Sequence, residues 1–463
     1  MAFIHKNIAR RQFLKRSAAI AAAAGSPFAA NLAMIGDAAA QTANDYKALV
    51  CVFLLGGNDQ GNTIVPISAA DYSAYAAYRL SLALASSSVL PIAPLASGIG
   101  NYVGPQLGLH PKLAGLKTLF DQGKCAILPN VATLVEPTTL ARYESGAAKL
   151  PSQLFSHADQ QSAWQTGFPD SPSETGWLGR VADLTASRNT PGSLSMCMSI
   201  AGNNLIQAGA NVIQYQLTTD GSVSIGSLNP NNGLARYAAN SALLQAVLTE
   251  PRTHLLEGQY AAIAKRSIDA DVAVRAAIGN AAPLQTAFGN DSLSTQLRMV
   301  ARLIAGRDAL QHKRQIYFVG LGGFDFHDDL LFQQDACLAK VSSAMTSFYN
   351  ATVELGIADS VTTFTASDFG RAMLSNGYGS DHGWGGHHFI VGGAVKGGRV
   401  YGKFPNIAKG SPDDVGEGRL LPSTSVDEYA AVLARWFGVT NSVDLAAVLP
   451  NLNRFENFNM GFL

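Results

Sequence analysis

Between Ser367 and Phe389, in SDFGRAMLSNGYGSDHGWGGHHF, the chain carries two Asp, three His and six Gly, although it has only nine His in all. The acids are Asp368 and Asp381, and the imidazoles are His382, His387 and His388. Carboxylate oxygen and neutral imidazole nitrogen together suit Zn²⁺ and comparable divalent ions. A Gly-rich turn carrying both groups has the composition of a metal site, and also that of an ordinary polar loop, so the rest of the chain must discriminate between them.

Three further segments place acids or imidazoles where an apolar run ends. LLGGNDQGNTIVP delivers Asp59 on a Gly-Gly turn, FDFH delivers Asp325 and His327 after QIYFVGLGG, and Asp368 follows VTTFTAS directly. Singly, each has a plain structural role: Asp in a Gly-Gly-Asn turn bonds nearby backbone N–H groups, and Asp325-x-His327 can cap a helix. Jointly they point to a divalent metal, zinc favoured, among Asp59, Asp325, His327, Asp368, Asp381, His382, His387 and His388. A second constellation, LFSHADQQSAWQTG, sets Ser156 three residues before Asp159. This spacing resembles a capping box with Asp in place of Glu. The same geometry puts a hydroxyl in the positive field of a helix N-terminus, beside free N–H groups that bind oxyanions, where it can serve as a nucleophile. His157 is a candidate ligand, base or anion contact. Arg371 and Lys396 are candidate contacts to a phosphate or sulfate, Lys396 reading first as solvated surface charge. No G-x-S-x-G elbow, P-loop, H-E-x-x-H or dinucleotide fingerprint stands in its expected setting.

The elements that must position these groups are legible as short, continuous apolar runs: KALVCVFLL, CAILPNV, LSMCMSI, QIYFVGLGG, VTTFTAS and HFIVGGAV. Continuous rather than alternating hydrophobicity is the pattern of strands buried on both faces. Amphipathic helical stretches lie between them, among them HPKLAGLKTLFDQG, TGWLGRVADLTA, SLSTQLRMVARLIAGRDAL and SVDEYAAVLARWFG, the last bounded by Ser425 and Gly438. The alternation predicts an α/β fold with a mostly parallel central sheet and helices on both faces. Residues 201–288, polar and turn-rich at first and then helix-prone with Pro251 as a breaker, are expected to form an insertion or subdomain. In such sheets ligands bind beyond the carboxyl ends of the strands, where the acids and imidazoles above fall.

Composition sets outer bounds. Of 463 residues, 47% are hydrophobic and 14% charged, with a formal net charge of zero. That supports a large buried core and leaves no electrostatic footprint for nucleic acid. Residues 1–40 read as a twin-arginine signal peptide: Arg10-Arg11 precede Gln12, Phe13, Leu14 and Lys15, then an uncharged Ala-rich segment ends at Ala38-Ala39-Ala40. The expectation is export through the twin-arginine translocase, a mature α/β domain over 41–463 in the periplasm or outside the cell, and no membrane span in the mature form. Cys51, Cys125, Cys197 and Cys337 form no C-x-x-C pair, and the first three sit in apolar runs as small buried hydrophobes.

FLLGGNDQGNTIVP, LHPKLAGLKTLFDQGKCAILPNV, FSHADQQSAWQTG, TGWLGRVAD, GGFDFHDD, SDFGR, SDHGWGGHHFIVGGAVKGGRVYG and SVDEYAAVLARWFGV resemble, in that order, the segments of an exported bacterial family known as domain of unknown function fifteen-oh-one. The resemblance runs from about Lys47 to the C-terminus, and the family is placed beside alkaline phosphatases and sulfatases. It implies an alkaline-phosphatase-like core in which Asp59, Asp325, His327, Asp368 and His382, with His387 or His388, hold one or two divalent ions. It also places Ser156 roughly where the nucleophile lies. Phe369 follows Asp368 where the wider superfamily has His, Asp325 and His327 are closer together than usual, and no sulfatase C/S-x-P-x-R motif occurs. The expected function is an exported metal-dependent hydrolase of a small-molecule or polymer-borne phosphate or sulfate ester, with Ser156, His157 and Arg371 in catalytic roles. The alternative is a non-catalytic, metal-stabilised binding protein of the same fold.

Overall fold

In the computed structural model, residues 46–463 are described apart from 96–101, 103, 193, 224, 226–227, 229–237 and 456–459. The twin-arginine segment and its cleavage pattern lie outside the described residues.

The six apolar runs form strands of one sheet, which four further short strands extend. In chain order they are β1 (Lys47–Leu54), β2 (Cys125–Ala132), β3 (Cys197–Ser199), β4 (Tyr215–Thr218), β5 (Gly221–Ser222), β6 (Arg314–Leu321), β7 (Val361–Ser367), β8 (Gly386–Gly392), β9 (Arg399–Val400) and β10 (Thr424–Ser425). The spatial order is β9-β2-β8-β7-β1-β6-β3-β4-β5, with β10 paired to β2. β7, β1, β6, β3 and β4 run parallel to one another. β8 is antiparallel to both of its neighbours, and β5 is antiparallel to β4. β6 and β7 are buried along their whole length, and β1 along all but its first residue, as expected of strands covered on both faces.

Side chains alternate across the sheet. Leu49, Cys51 and Phe53 of β1 join Phe318 of β6 and Phe364 of β7 in a core with Trp164, Trp177, Leu178, Val181, Tyr429, Leu433 and Phe437. These last seven come from α2 (His157–Thr166), α3 (Trp177–Thr185) and α7 (Val426–Phe437). Ala48, Val50 and Val52 face the other way and are equally buried. There α5 (Ser292–Ala305) packs on β6 and on α6 (Leu330–Glu354), and α6 packs on α1 (Ala114–Asp121). Two hydrogen bonds between the Gln296 amide and the Gly320 backbone, both 2.9 Å, tie α5 to β6. Residues 201–288 contribute the edge strands β4 and β5, and α4 (Leu255–Asn280) beyond Pro251. All four cysteines are unpaired and buried. No helix among the described residues is long and apolar enough to cross a membrane.

α7 begins in a capping box: the Ser425 hydroxyl accepts from the Glu428 N–H, and the Glu428 carboxylate accepts from the Ser425 N–H. Next to it Asp427 is buried, and its Oδ1 has no hydrogen-bond partner. Burial pushes its carboxyl up to about 7 and raises that of Glu428 as well. The unfolded chain releases the Asp427 proton near pH ~4, so stability falls as pH rises from there to the folded value. Asp427→Asn is therefore expected to reduce this slope. Its stability advantage over the wild type should grow across that interval in urea denaturation run at a series of pH values.

Candidate metal centre

Level strand ends bring distant residues together. Leu54 of β1 is in register with Ser367 of β7 and with Leu321 of β6, so these three carboxyl ends share one rim. Asp368 follows β7 at once, and Asp325 follows β6 through a Gly-Gly turn. Because β8 runs antiparallel, the residues that precede it reach the same rim. His382 arrives there on a ribbon of Arg371–Ser375 and Ser380–His382. His157 opens α2, beyond the carboxyl end of β2.

Three of these side chains converge: one donor atom each from His157, Asp325 and His382 lie within 4.8 Å of one another. His157 Nδ1 donates to Asp368 Oδ2 at 2.7 Å, and its Nε2 is 3.5 Å from Asp325 Oδ2. His382 Nδ1 donates to the Phe155 carbonyl at 2.7 Å, and its Nε2 is 3.4 Å from Asp325 Oδ1. A carboxylate and a carbonyl can only accept in these bonds, so each Nδ1 carries a proton, and in the neutral ring each Nε2 presents a lone pair. The buried His157 Nε2 has no hydrogen-bond partner. Two lone pairs and a carboxylate facing one another repel, and a cation relieves that repulsion. Imidazoles held at Nδ1 by an oxygen acceptor are the arrangement of metal-bound histidines. The residues present therefore fit a divalent ion of the zinc type.

The electrostatics follow from the same contacts. The hydrogen bond to Asp368 raises the His157 pKa, outweighing burial. Burial lowers that of His382. Burial also pushes the Asp325 carboxyl up, but the Arg371 hydrogen bond and charge, aided by His327 and His157, outweigh it and hold the carboxyl low. Asp368 is buried and gathers donors: its Oδ2 accepts from the Gly56 N–H at 3.2 Å and from Gln161 Nε2 at 2.8 Å, besides His157. Phe155 holds φ +75°, an uncommon backbone for a bulky residue, beside the carbonyl that fixes His382. Phe369 packs 4.8 Å, centroid to centroid, from both the His157 and the His382 ring.

The other expected site residues lie as follows. His327 sits at the edge of the cluster, its Nδ1 3.2 Å from Asp381 Oδ1. Arg371 is fully buried and turns inward, donating to Asp325 Oδ1 at 2.8 Å, to the Gly56 carbonyl at 3.1 Å and to the Ser380 carbonyl, so it is spent on the scaffold rather than on a ligand. Asp59 does not join the cluster: it is buried and paired with Arg79 at 2.5 Å. His387 and His388 do not join it either, because β8 places both in the interior. His387 Nδ1 accepts from the Asn130 N–H at 3.0 Å, and His388 packs on Trp164 and Tyr429. Burial lowers their pKa values to about 4 and about 3. Lys396 follows the carboxyl end of β8 and so lies at the opposite rim. Ser156 stands at the N-cap position of α2 without capping it; its Oγ donates to Asp159 Oδ2 at 2.6 Å.

Sequence reasoning missed Arg79, Gln161 and the Phe155 carbonyl. Gln161 was within reach, since it stands four residues after His157 and shares its helix face. Arg79 and the carbonyl carry no sequence signal. Asp368→Asn removes the charge that orients His157 and is expected to weaken metal affinity about 10–100-fold, as read by competition with a chromophoric chelator.

Among curated proteins none is significantly similar in sequence. Several solved structures share a distant likeness. The lipoteichoic acid synthase LtaP from Listeria monocytogenes has 7% identity and a TM-score of 0.32, with 79% of this chain and 70% of that one covered. A mutant of the alkaline phosphatase PafA has 11% identity and a TM-score of 0.28, covering 71% and 64%. Ps i-CgsB, in complex with a neocarrahexaose, has 7% identity and a TM-score of 0.30, covering 90% and 74%. Likenesses of this size carry no argument about chemistry, which rests on the geometry above. The sequence match is of another kind: it extends over residues 46–449, and the chain belongs to the family described as Protein of unknown function (DUF1501).

Proposed function

We propose that this chain is a metal-dependent hydrolase of a phosphate or sulfate ester, acting in the periplasm or outside the cell after twin-arginine export. The observation that carries the reading is the convergence of His157, Asp325 and His382, with both imidazoles locked at Nδ1 and Ser156 preceding His157 in the chain. His157, Asp325 and His382 hold the ion, and Asp368 and the Phe155 carbonyl orient the two rings. Arg371 keeps Asp325 ionised and in place. A bound divalent ion supplies Lewis-acid polarisation of the ester oxygen and lowers the pKa of the attacking group.

In the chain Ser156 stands between Phe155, whose carbonyl holds His382, and His157. Its hydroxyl donates to Asp159 Oδ2, so Asp159 is the acceptor for its proton as the oxygen bonds to phosphorus or sulfur and the ester's alcohol oxygen leaves, taking a proton from solvent. Water then cleaves the serine ester and releases phosphate or sulfate. α2 begins at His157, and first-turn N–H groups of a helix suit an anionic ester. Phe369 closes one wall of the cluster, being buried against both rings.

The test loads metal-stripped protein with Zn²⁺, Mn²⁺ or Mg²⁺ and screens aryl phosphates, phosphodiesters and aryl sulfates. Turnover of at least one class is expected, lost on chelation and lost in Ser156→Ala with metal content unchanged. Bound metal without turnover of any class would establish the non-catalytic binding protein instead.

A further inference from the structure

The amino ends of the parallel strands carry a cavity that the metal centre does not use. Its buried side is made by Leu194 and Met196, which lead into β3, and by His312, two residues before β6. Residues 211–215, ending on the first residue of β4, form a second side, and Ile263, Arg266 and Ser267 of α4 form a third. β6 has eight residues, so at roughly 3.3 Å per residue this rim stands about 25 Å from the carboxyl ends that carry Asp325. Ligands of open α/β sheets bind beyond the carboxyl ends. Here residues 201–288 add a second pocket by placing β4 and α4 beside the amino ends.

The cavity measures about 800 Å³, the size of a small-molecule site. Its buried polar groups are already satisfied by the fold. His312 Nδ1 meets the Gln315 amide at 3.3 Å, and burial lowers the imidazole to about 4, so the ring is neutral at pH ~7. Asn189 Oδ1 accepts from the Lys313 and Arg314 N–H groups, and its amide donates to the Arg314 carbonyl. Ser195 Oγ accepts from the Cys197 N–H. On the solvent side Ile213 and Ile263 are 62% and 52% exposed, apolar surface that an occupant would take out of water.

Arg266 is the one Asp, Glu, Lys or Arg in this lining. It stands three residues after Ile263 on α4, so the two share a helix face. Among the described residues its guanidinium has no hydrogen-bond or ion-pair partner. The two acids that follow it on α4 are taken: Asp269 by Lys265 at 2.8 Å, and Asp271 by Arg275. A fork of five N–H donors is thus left unanswered at the edge of an apolar space. One guanidinium balances one negative charge, and its plane matches the two oxygens of a carboxylate. A dianionic phosphate would leave a charge uncompensated against apolar walls.

We propose that this cavity binds one organic monocarboxylate with an apolar body, its carboxylate on Arg266 and its body against Met196, Val212 and Ile263. The site is independent of the metal centre and of any hydrolysis there. An aliphatic and an aromatic acid share this chemistry, and the two are separated by experiment.

The experiment is isothermal titration calorimetry of the full chain with octanoate and with 1-naphthoate, each compared with its neutral alcohol. At least one acid is expected to saturate at one per chain, and to bind at least ~10-fold tighter than its alcohol. Octanoate as the tighter acid assigns the site to a chain, 1-naphthoate to a ring. Arg266→Gln is expected to weaken the acid about 10–100-fold and to leave the alcohol unchanged. Ser267→Trp, which sets an indole in the cavity, is expected to weaken acid and alcohol alike. Both positions are exposed, so both variants are expected to keep the wild-type thermal unfolding midpoint. Neither acid saturating at one per chain, an acid no tighter than its alcohol, or an unchanged affinity in Arg266→Gln each overturns the proposal. Unchanged affinity in Ser267→Trp overturns the placement of the ligand in this cavity.

Discussion

Asp325→Asn is expected to abolish ester hydrolysis, by roughly 10²–10³-fold or more, the loss found when one preorganised charge is taken from a catalytic site. The reason lies in the number of partners that meet on this carboxylate. Its oxygens face His157, His327 and His382, and its Oδ1 accepts from Arg371. An amide keeps the shape and one acceptor, but it withdraws the negative charge that draws a cation between three lone pairs. It also leaves the buried Arg371 guanidinium beside the cluster without its partner, and that positive charge then opposes metal binding. Metal content measured by elemental analysis should fall along with activity. Activity lost while metal content stays at the wild-type level would contradict the ligand role of Asp325.

Asp59→Ala is expected to produce the opposite pattern: a large loss of stability with little loss of metal. Asp59 and Arg79 are both fully buried and 2.5 Å apart. Burial pushes the Asp59 carboxyl up, against the pull of Arg79 and Arg371. Removing one member of a buried pair strands the other charge and costs about 3–5 kcal/mol. The stranded guanidinium keeps only neutral acceptors: Asn62 Oδ1 at 3.2 Å and the carbonyls of Ala372 and Met373 at 3.2 and 3.4 Å. Those two carbonyls belong to the ribbon that carries His382, so the pair braces the strand that positions this candidate ligand. Urea denaturation measures the loss. Replacing both members, Asp59→Leu with Arg79→Met, should recover most of it, because well-packed apolar groups of similar volume replace buried ion pairs at little cost. Loss of bound metal from the folded Asp59→Ala protein would instead return Asp59 to the ligand set.

The placement of several candidate residues was legible because they sit at strand ends. Asp325, His327, Asp368 and His382 were all read as strand-end groups, and the sheet brings them to one rim. The reading of His387 and His388 failed for a local reason. Both follow a Gly-rich loop in sequence, but β8 starts at Gly386 and carries them inward, where His387 meets the Asn130 N–H and His388 meets Trp164. A histidine in the first residues of a buried strand has the same one-dimensional signature as one in the loop before it. Asp59 misled in a related way: its turn lies at the right rim, but its partner is a helical arginine twenty residues on, which no spacing rule announces.

By itself the sequence determined the alternation of buried strands and amphipathic helices, and hence an α/β sheet whose carboxyl ends carry acids and imidazoles. It could do so because burial on both faces imposes continuous hydrophobicity, and that is a property of each segment alone. Only the tertiary structure decided which donors meet. The antiparallel direction of β8, the turn at Phe155 and the Nδ1 contacts of His157, His327 and His382 depend on residues far apart in the chain. A ligand set is a matter of distances of a few ångströms between lone pairs, and such distances are set by packing between segments rather than by order within them.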